Sequence, residues 1–553
     1  MANSVQFATR DAVDFVIIGS GSAGGILAKE LSTAGFDVVV LEQGPYRRAA
    51  DFSHDELSVV VREELRGGGQ DVHAQTFRQH EHETAVMPAR SPVRYARGVG
   101  GSSVHFTANF WRFRELDFKE RSLLGPIAGT NFADWPISYA DLEPYYTKVD
   151  WEIGVSGAPG PFDAPRSKPF PMPPMPIKSS GVLLERAGRA LGLHPQVEPL
   201  AILSQPLNGR AGCISCGYCM YFGCEVGAKS STLAAMIPLA EASGHCEIRP
   251  ESVVIRIDTD AAGRATQVVY LDKDGKEQAQ KAKAVVLSAN GAESARLLLM
   301  SASPQHPDGL ANSSGFVGRN LMHNAHAGGM GVFEQPLNDY KGVQVTRIIH
   351  DFYATDEKRG FYGGGGIDAR PLFSATPILH AQIAMPPDVP SWGAQWKEAI
   401  AHNFTRQMAI VGSTTSLALD SNNITLDPVS KDAWGRPAIR ETYYDHPDDL
   451  AVAAFLQDRA MELFDAAGAV KSWRFPVEPT TGGEHLLGTC RMGDDAATSV
   501  VDRNHRSHDV PNLFICDGSS FVTSGRGQPT MTIMALAFRA ADQIKAAAAA
   551  GNI

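Results

Sequence analysis

Four of the seven cysteines fall within twelve residues. Cys213, Cys216, Cys219 and Cys224 form a C-x2-C-x2-C-x4-C run. Thiolates this close on one looping segment can ligate metal. Structural zinc pairs two C-x2-C knuckles across a longer gap. Three short intervals suit an iron–sulfur cluster better. The spacing departs from the bacterial ferredoxin run by the x4 before its last cysteine and by the lack of a following proline. The four are candidate metal ligands, with a cluster, disulfides or free thiols, and zinc all open. Cys246, Cys490 and Cys516 stand alone in apolar surroundings and read as buried free thiols.

A second constellation lies at the start of the chain. The apolar run Val13 to Ile18 leads into Gly19-Ser20-Gly21-Ser22-Ala23-Gly24, and a helical stretch follows as far as Gly35. The run Val38 to Leu41 then ends in Glu42. This is strand, G-x-G-x-x-G, helix, strand, acid, in the order that binds a dinucleotide. Gly19 permits a tight turn, Gly21 lets backbone approach a pyrophosphate, and Gly24 lets helix pack on strand. Ser22 opens the helix whose N-terminus favours the anion. Glu42 is placed to accept from a ribose. The spacing does not separate FAD from NAD.

These elements belong to a large globular chain. Its 553 residues are 43% hydrophobic and 20% charged, with 53 glycines and 34 prolines. Such a composition excludes a disordered tail, a coiled coil or a collagen-like fibre. A net charge of −11 argues against nucleic acid as a partner. No apolar run reaches membrane-spanning length. The N-terminal residues show no signal-peptide pattern, so a cytoplasmic setting is the default expectation. Export together with a signal-bearing partner, to the periplasm, stays open.

Further motifs give the chain a family likeness. RGVGGSSVHF at 97–106 follows the dinucleotide unit, and DWPISYADLEPYYTKVDWEIGVSG spans 134–157. VVLSANGAESARLLLMS at 285–301, HLLGTCRMG at 485–493, SVVDRNHRSHDVPNLFICDGSS at 499–520 and PTMTIMALAFRAADQI at 529–544 complete the series. In this order the chain resembles the glucose–methanol–choline (GMC) oxidoreductases. Its cysteine-rich loop at 211–231 resembles that of the bacterial branch acting on sugars, polyols and glycosides. The resemblance implies an α/β fold. A Rossmann-like FAD-binding domain, residues 1–325 with 480–553, is interwoven with an α+β substrate domain, 326–479, of antiparallel sheet plus helices.

The same likeness implies roles residue by residue. His485, in H-x-x-G-T-C, takes the place of the base that removes the hydroxyl proton. Gln528 stands where an Asn or His precedes Pro-Thr, so its role as substrate partner departs from the pattern. FAD contacts are implied for Arg97, Gly100, Gly101, Ser102, Val254, Asp517, Gly518, Pro529 and Thr530, beside Gly19, Gly21, Ser22, Gly24 and Glu42. The helix after Pro529 would turn its positive end to the flavin. His105, in Ser103-Val104-His105-Phe106, resembles a flavin-attaching histidine of some members, and reads as a covalent anchor or as a lining residue. Trp392, Trp396, Phe404, Tyr443 and Tyr444 read as core or as substrate pocket. Some relatives carry a three-iron cluster on the cysteine loop. Electrons would then leave for an external acceptor, a small or cytochrome subunit of a hetero-oligomer. Rival readings are an oxidase using O2, a lyase-like member with structural FAD, and a non-catalytic subunit.

Overall fold

A computed structural model describes residues 5–66, 69–371 and 376–553. Its centre is a seven-stranded sheet built on the short apolar runs. Val13–Ile18 lies between Val38–Leu41 and Glu277–Leu287, all parallel, with Cys246–Arg249 beyond Val38–Leu41. Leu513–Ile515 pairs in parallel with the end of Glu277–Leu287. Both faces of these strands are covered, which is why they are apolar throughout rather than alternating. The long strand Glu277–Leu287 is shared. Its first half carries an antiparallel pair, Val253–Thr259 and Ala265–Leu271. Its second half ends beside the first glycine loop.

A six-stranded antiparallel sheet forms the second layer. Its order is Lys471–Arg474, His326–Val332, Gln407–Thr414, Gly365–Arg370, Arg347–Ile349 and Pro195–Val197. One face is apolar. Ile349, Ile367, Met408 and Ile410 pack with Leu184 of the helix Ser179–Ala190 and with Leu456 and Phe464 of Pro447–Ala467. The register aligns His326, Ser413 and Gly366 across three strands of the opposite face, and a Cβ on Gly366 would lie 2.7 Å from the His350 ring. Strand residues two apart share a face, so burying the aliphatic set under helices turns this polar set inward.

The layers exchange segments. Pro195–Val197 closes the edge of the second sheet. Asn423–Lys431 and Pro437–Thr442 instead form a small sheet with Gln75–Arg78. No described helix is long and apolar enough to cross a membrane.

Candidate active site

A deep cleft lies at the carboxyl ends of the parallel strands, where open α/β sheets bind ligands. Its interior volume is about 180 Å³, and it is lined by Gly19, Gly21, Ser22, Glu42, Gly101, Ser102, Val254, Asp517, Gly518, Pro529 and Thr530, among others, and by His485. Residues separated by more than 500 positions thus meet on one surface.

The glycines are needed where they stand. Gly19 has φ +92°, and a Cβ there would lie 2.5 Å from the Ser288 carbonyl oxygen. A Cβ at Gly24 would lie 2.0 Å from the Gly19 oxygen. Gly21 faces the second glycine loop, and a Cβ on Gly101 (φ +54°) would come within 2.8 Å of the Gly21 Cα. Two bare backbone turns therefore border the cleft, one of them opening the helix Gly24–Ser32. That is a fit for a pyrophosphate. Glu42 accepts from Ser20 N and Oγ, from Gly44 N at 3.0 Å and from Gly98 N at 3.3 Å. Burial raises its pKa against these bonds. The carboxylate thus ties the two glycine loops together as well as lining the cleft.

Asp517 accepts from Ser519 N at 2.7 Å, Ser294 Oγ at 2.6 Å and Asn290 N at 3.0 Å. It joins the turn after Leu513–Ile515 to the helix Glu293–Met300. The C-terminal helix Thr530–Ala549 starts at the cleft wall. Its unpaired N–H groups and positive end face whatever binds there.

His485 has a built environment. Its Nδ1 lies 3.1 Å from Asn324 Oδ1, and the Asn324 amide donates to the Thr414 carbonyl at 2.9 Å. The amide oxygen must therefore accept from His485 Nδ1–H, which leaves Nε2 as the basic nitrogen. Burial lowers the His485 pKa to about 4, with His323 adding to the shift and Glu484 opposing it. The ring is neutral at pH 7. His323 holds the His485 carbonyl through Nδ1 at 2.9 Å, bonds Glu441 through Nε2 at 3.1 Å, and lies against Tyr443. Burial opposes charge on His323, but Glu441 outweighs it and raises the pKa. His326 is 6.0 Å from His485, ring to ring. Asn324, His323 and His326 were not singled out by the sequence reading. Their only local signal is the polar cluster His323-Asn324-Ala325-His326 entering a strand.

Other expected residues lie elsewhere. Gln528 is buried with φ +48° and does not line the cleft, although Pro529 and Thr530 do. Arg97 lies over Trp434 and borders a neighbouring small cavity, and Gly100 packs on Leu233. His105 is set behind the glycine turn. Its Nδ1 is 2.9 Å from the Ser102 carbonyl, Nε2 has no hydrogen-bond partner, and burial lowers its pKa to about 3. Trp392 is 81% exposed, Phe404 stacks on Tyr340, and Tyr443 is buried beneath His323. Neither they nor Trp396 and Tyr444 line the cleft.

The four loop cysteines line a separate cavity of about 20 Å³, room for about one water. All are free thiols, and burial pushes the Cys219 thiol up to about 12. Lys229, buried among them, donates through Nζ to the carbonyls of Cys219, Phe222 and Phe106 at 2.5, 2.8 and 3.1 Å. Backbone N–H groups approach two sulfurs, Ser215 toward Cys213 and Lys229 toward Cys224. Among the described residues no three His, Cys, Asp or Glu side chains converge to hold a metal ion. The thiols are suitable donors, but as placed they do not enclose a metal. Cys246, Cys490 and Cys516 are buried free thiols.

Comparison with known proteins agrees with this geometry. Two GMC oxidoreductase family models match residues 13–326 and 418–537. The chain is 36% identical to 2-methyl-1,2-propanediol dehydrogenase of Mycolicibacterium austroafricanum, covering 97% of this chain and 95% of the relative. It is 31% identical to the fructose dehydrogenase large subunit of Gluconobacter japonicus (96% and 97%) and 30% identical to the gluconate 2-dehydrogenase flavoprotein of Pantoea cypripedii (96% and 93%). Pyridoxine 4-oxidase from Mesorbium loti shares the fold at TM-score 0.66 and 17% identity, covering 97% of this chain and 99% of that one. The chain belongs to the GMC oxidoreductase family, FAD-dependent enzymes that act on CH–OH donors.

Proposed function

We propose that this protein is a dehydrogenase of a small polyol or sugar, with His485 as the base. The observation that carries the reading is the basic Nε2 of His485 at the cleft that the two glycine loops border. Bound FAD supplies the hydride acceptor at N5. His485 Nε2 takes the hydroxyl proton as the carbinol hydrogen leaves, and Asn324 keeps the ring in that tautomer. The start of Thr530–Ala549 supplies positive potential where negative charge develops. The relatives named for a diol, fructose and gluconate support a hydroxyl-rich substrate.

Gln528 keeps a supporting role in the turn before Pro529. His105 supports the glycine turn from behind, and FAD is held without a covalent bond. An external acceptor takes the electrons, and no step is assigned to a metal cluster because the cysteines do not converge. A hetero-oligomer is the natural setting, since a relative is named as a large subunit.

Anaerobic flavin bleaching with polyols, sugars and benzylic alcohols tests the reading. Bleaching by a polyol, lost in His485→Ala with FAD retained, supports it. Fast bleaching in the variant overturns it. Faster turnover with O2 than with a dye would reassign the protein as an oxidase. Iron content and electron paramagnetic resonance of the purified protein test the cysteine loop.

A further inference from the structure

His326 faces His485 from the second sheet and has no assigned task. Its ring lies 6.0 Å from that of His485, tilted by 55°. It begins His326–Val332, on the inward polar face, directly paired with Ser413. It is deep in the fold, with Arg370, His485 and Glu484 as its charged or titratable neighbours. Its own ring is solvent-accessible, while the next six residues of the strand are buried.

Neither ring nitrogen of His326 has a hydrogen-bond partner among the described residues, whereas His485 and His323 are both tethered. Burial lowers the His326 pKa to about 3, so the ring is neutral near pH 7. A neutral imidazole offers one donor and one acceptor, the complement of a hydroxyl group. Ser413, its strand partner, adds an Oγ that is buried and unpartnered. The turn carrying Gln528 closes the same side, because a Cβ on Gly527 would lie 2.6 Å from Ser413 Cβ. With ~2.8 Å for each hydrogen bond, nitrogens on two rings at this separation reach oxygens on adjacent carbons.

We infer that His326 binds the second hydroxyl of a vicinal diol while His485 engages the first, and so sets a preference for 1,2-diols over mono-alcohols. The inference rests on the alcohol-oxidation reading above and narrows its substrate class. It makes His326 a specificity residue and leaves proton removal to His485.

The test is anaerobic stopped-flow flavin reduction of the FAD-loaded protein with 1,2-propanediol and with 1-propanol. The wild type should favour the diol in reduction rate over dissociation constant. His326→Ala should lower the diol-to-monool ratio about tenfold, the size of one well-placed hydrogen bond. His326→Gln, which keeps a donor and an acceptor, should restore most of the ratio. Equal loss on both alcohols, an unchanged ratio in His326→Ala, or no wild-type preference would overturn the assignment. Failure of every alcohol to bleach the wild type would instead remove the parent reading, and this one with it.

Discussion

The Asn324 amide oxygen and His485 Nδ1 lie 3.1 Å apart, and the same amide donates to the Thr414 carbonyl. One side chain therefore decides which nitrogen of His485 is basic. Asn324→Ala should slow flavin reduction by about 10- to 100-fold, within the usual range for general-base catalysis. FAD content should be unchanged. A reduction rate equal to wild type would remove Asn324 from the mechanism.

With His485 as the proposed base, its depressed pKa should set the acid side of the activity profile. A base held near 4 by burial stays unprotonated through the mildly acidic range. Because kcat/KM reports the free enzyme, its acid limb should fall near pH 4 rather than near the ordinary histidine value. Asn324→Asp places a carboxylate against Nδ1–H and favours the protonated ring, so the limb should move upward. A wild-type limb between 6 and 7 would contradict the buried, neutral base.

Arg526 ties the turn before Thr530–Ala549 to the helical segments carrying Asp117 and Glu120 and to the loop at Tyr353. It is fully buried, with Nη1 at 2.8 Å from Asp117 and 2.6 Å from Glu120, and Nε donating to the Tyr353 carbonyl at 3.0 Å. Tyr353 and Tyr362 bond the same two carboxylates. Arg526→Ala leaves Asp117 and Glu120 buried without their counter-ion and should cost about 3–5 kcal/mol in denaturant unfolding. Arg526→Lys should lose less. A loss under about 1 kcal/mol for the alanine variant would show that the pair is relaxed by water.

Gly101 leaves no room for a side chain against Gly21, whereas a Cβ on Gly21 would meet only the Gly101 Cα at 3.9 Å. Gly101→Ala adds a Cβ 2.8 Å from the Gly21 Cα, at a left-handed φ. The variant should purify with sub-stoichiometric FAD and regain flavin only at high added concentration. Titration by flavin fluorescence checks this, and wild-type affinity would refute it.

His105 stands behind the glycine turn rather than on the cleft wall. Acid precipitation should therefore release all of the flavin into the supernatant. Yellow colour retained in the pellet would establish a covalent link and a turn arranged differently from this one.

Local pattern alone determined the dinucleotide unit. Its glycines, strands and Glu42 lie within about thirty residues, and each position answers to a backbone or packing demand that is met locally. The motifs spread from 97 to 544 placed the chain in its family because they keep order along the whole length. Tertiary structure decided the rest. His485 gains its tautomer from Asn324, 161 residues away, and its low pKa from burial, and neither is encoded near position 485. The cysteine run shows four possible ligands, but only packing around Lys229 decides whether they converge. His326 looks like one histidine among seventeen. The register with Ser413, and a helix-covered opposite face, turn it toward His485. A strand's two faces are interchangeable in sequence until long-range burial selects one of them.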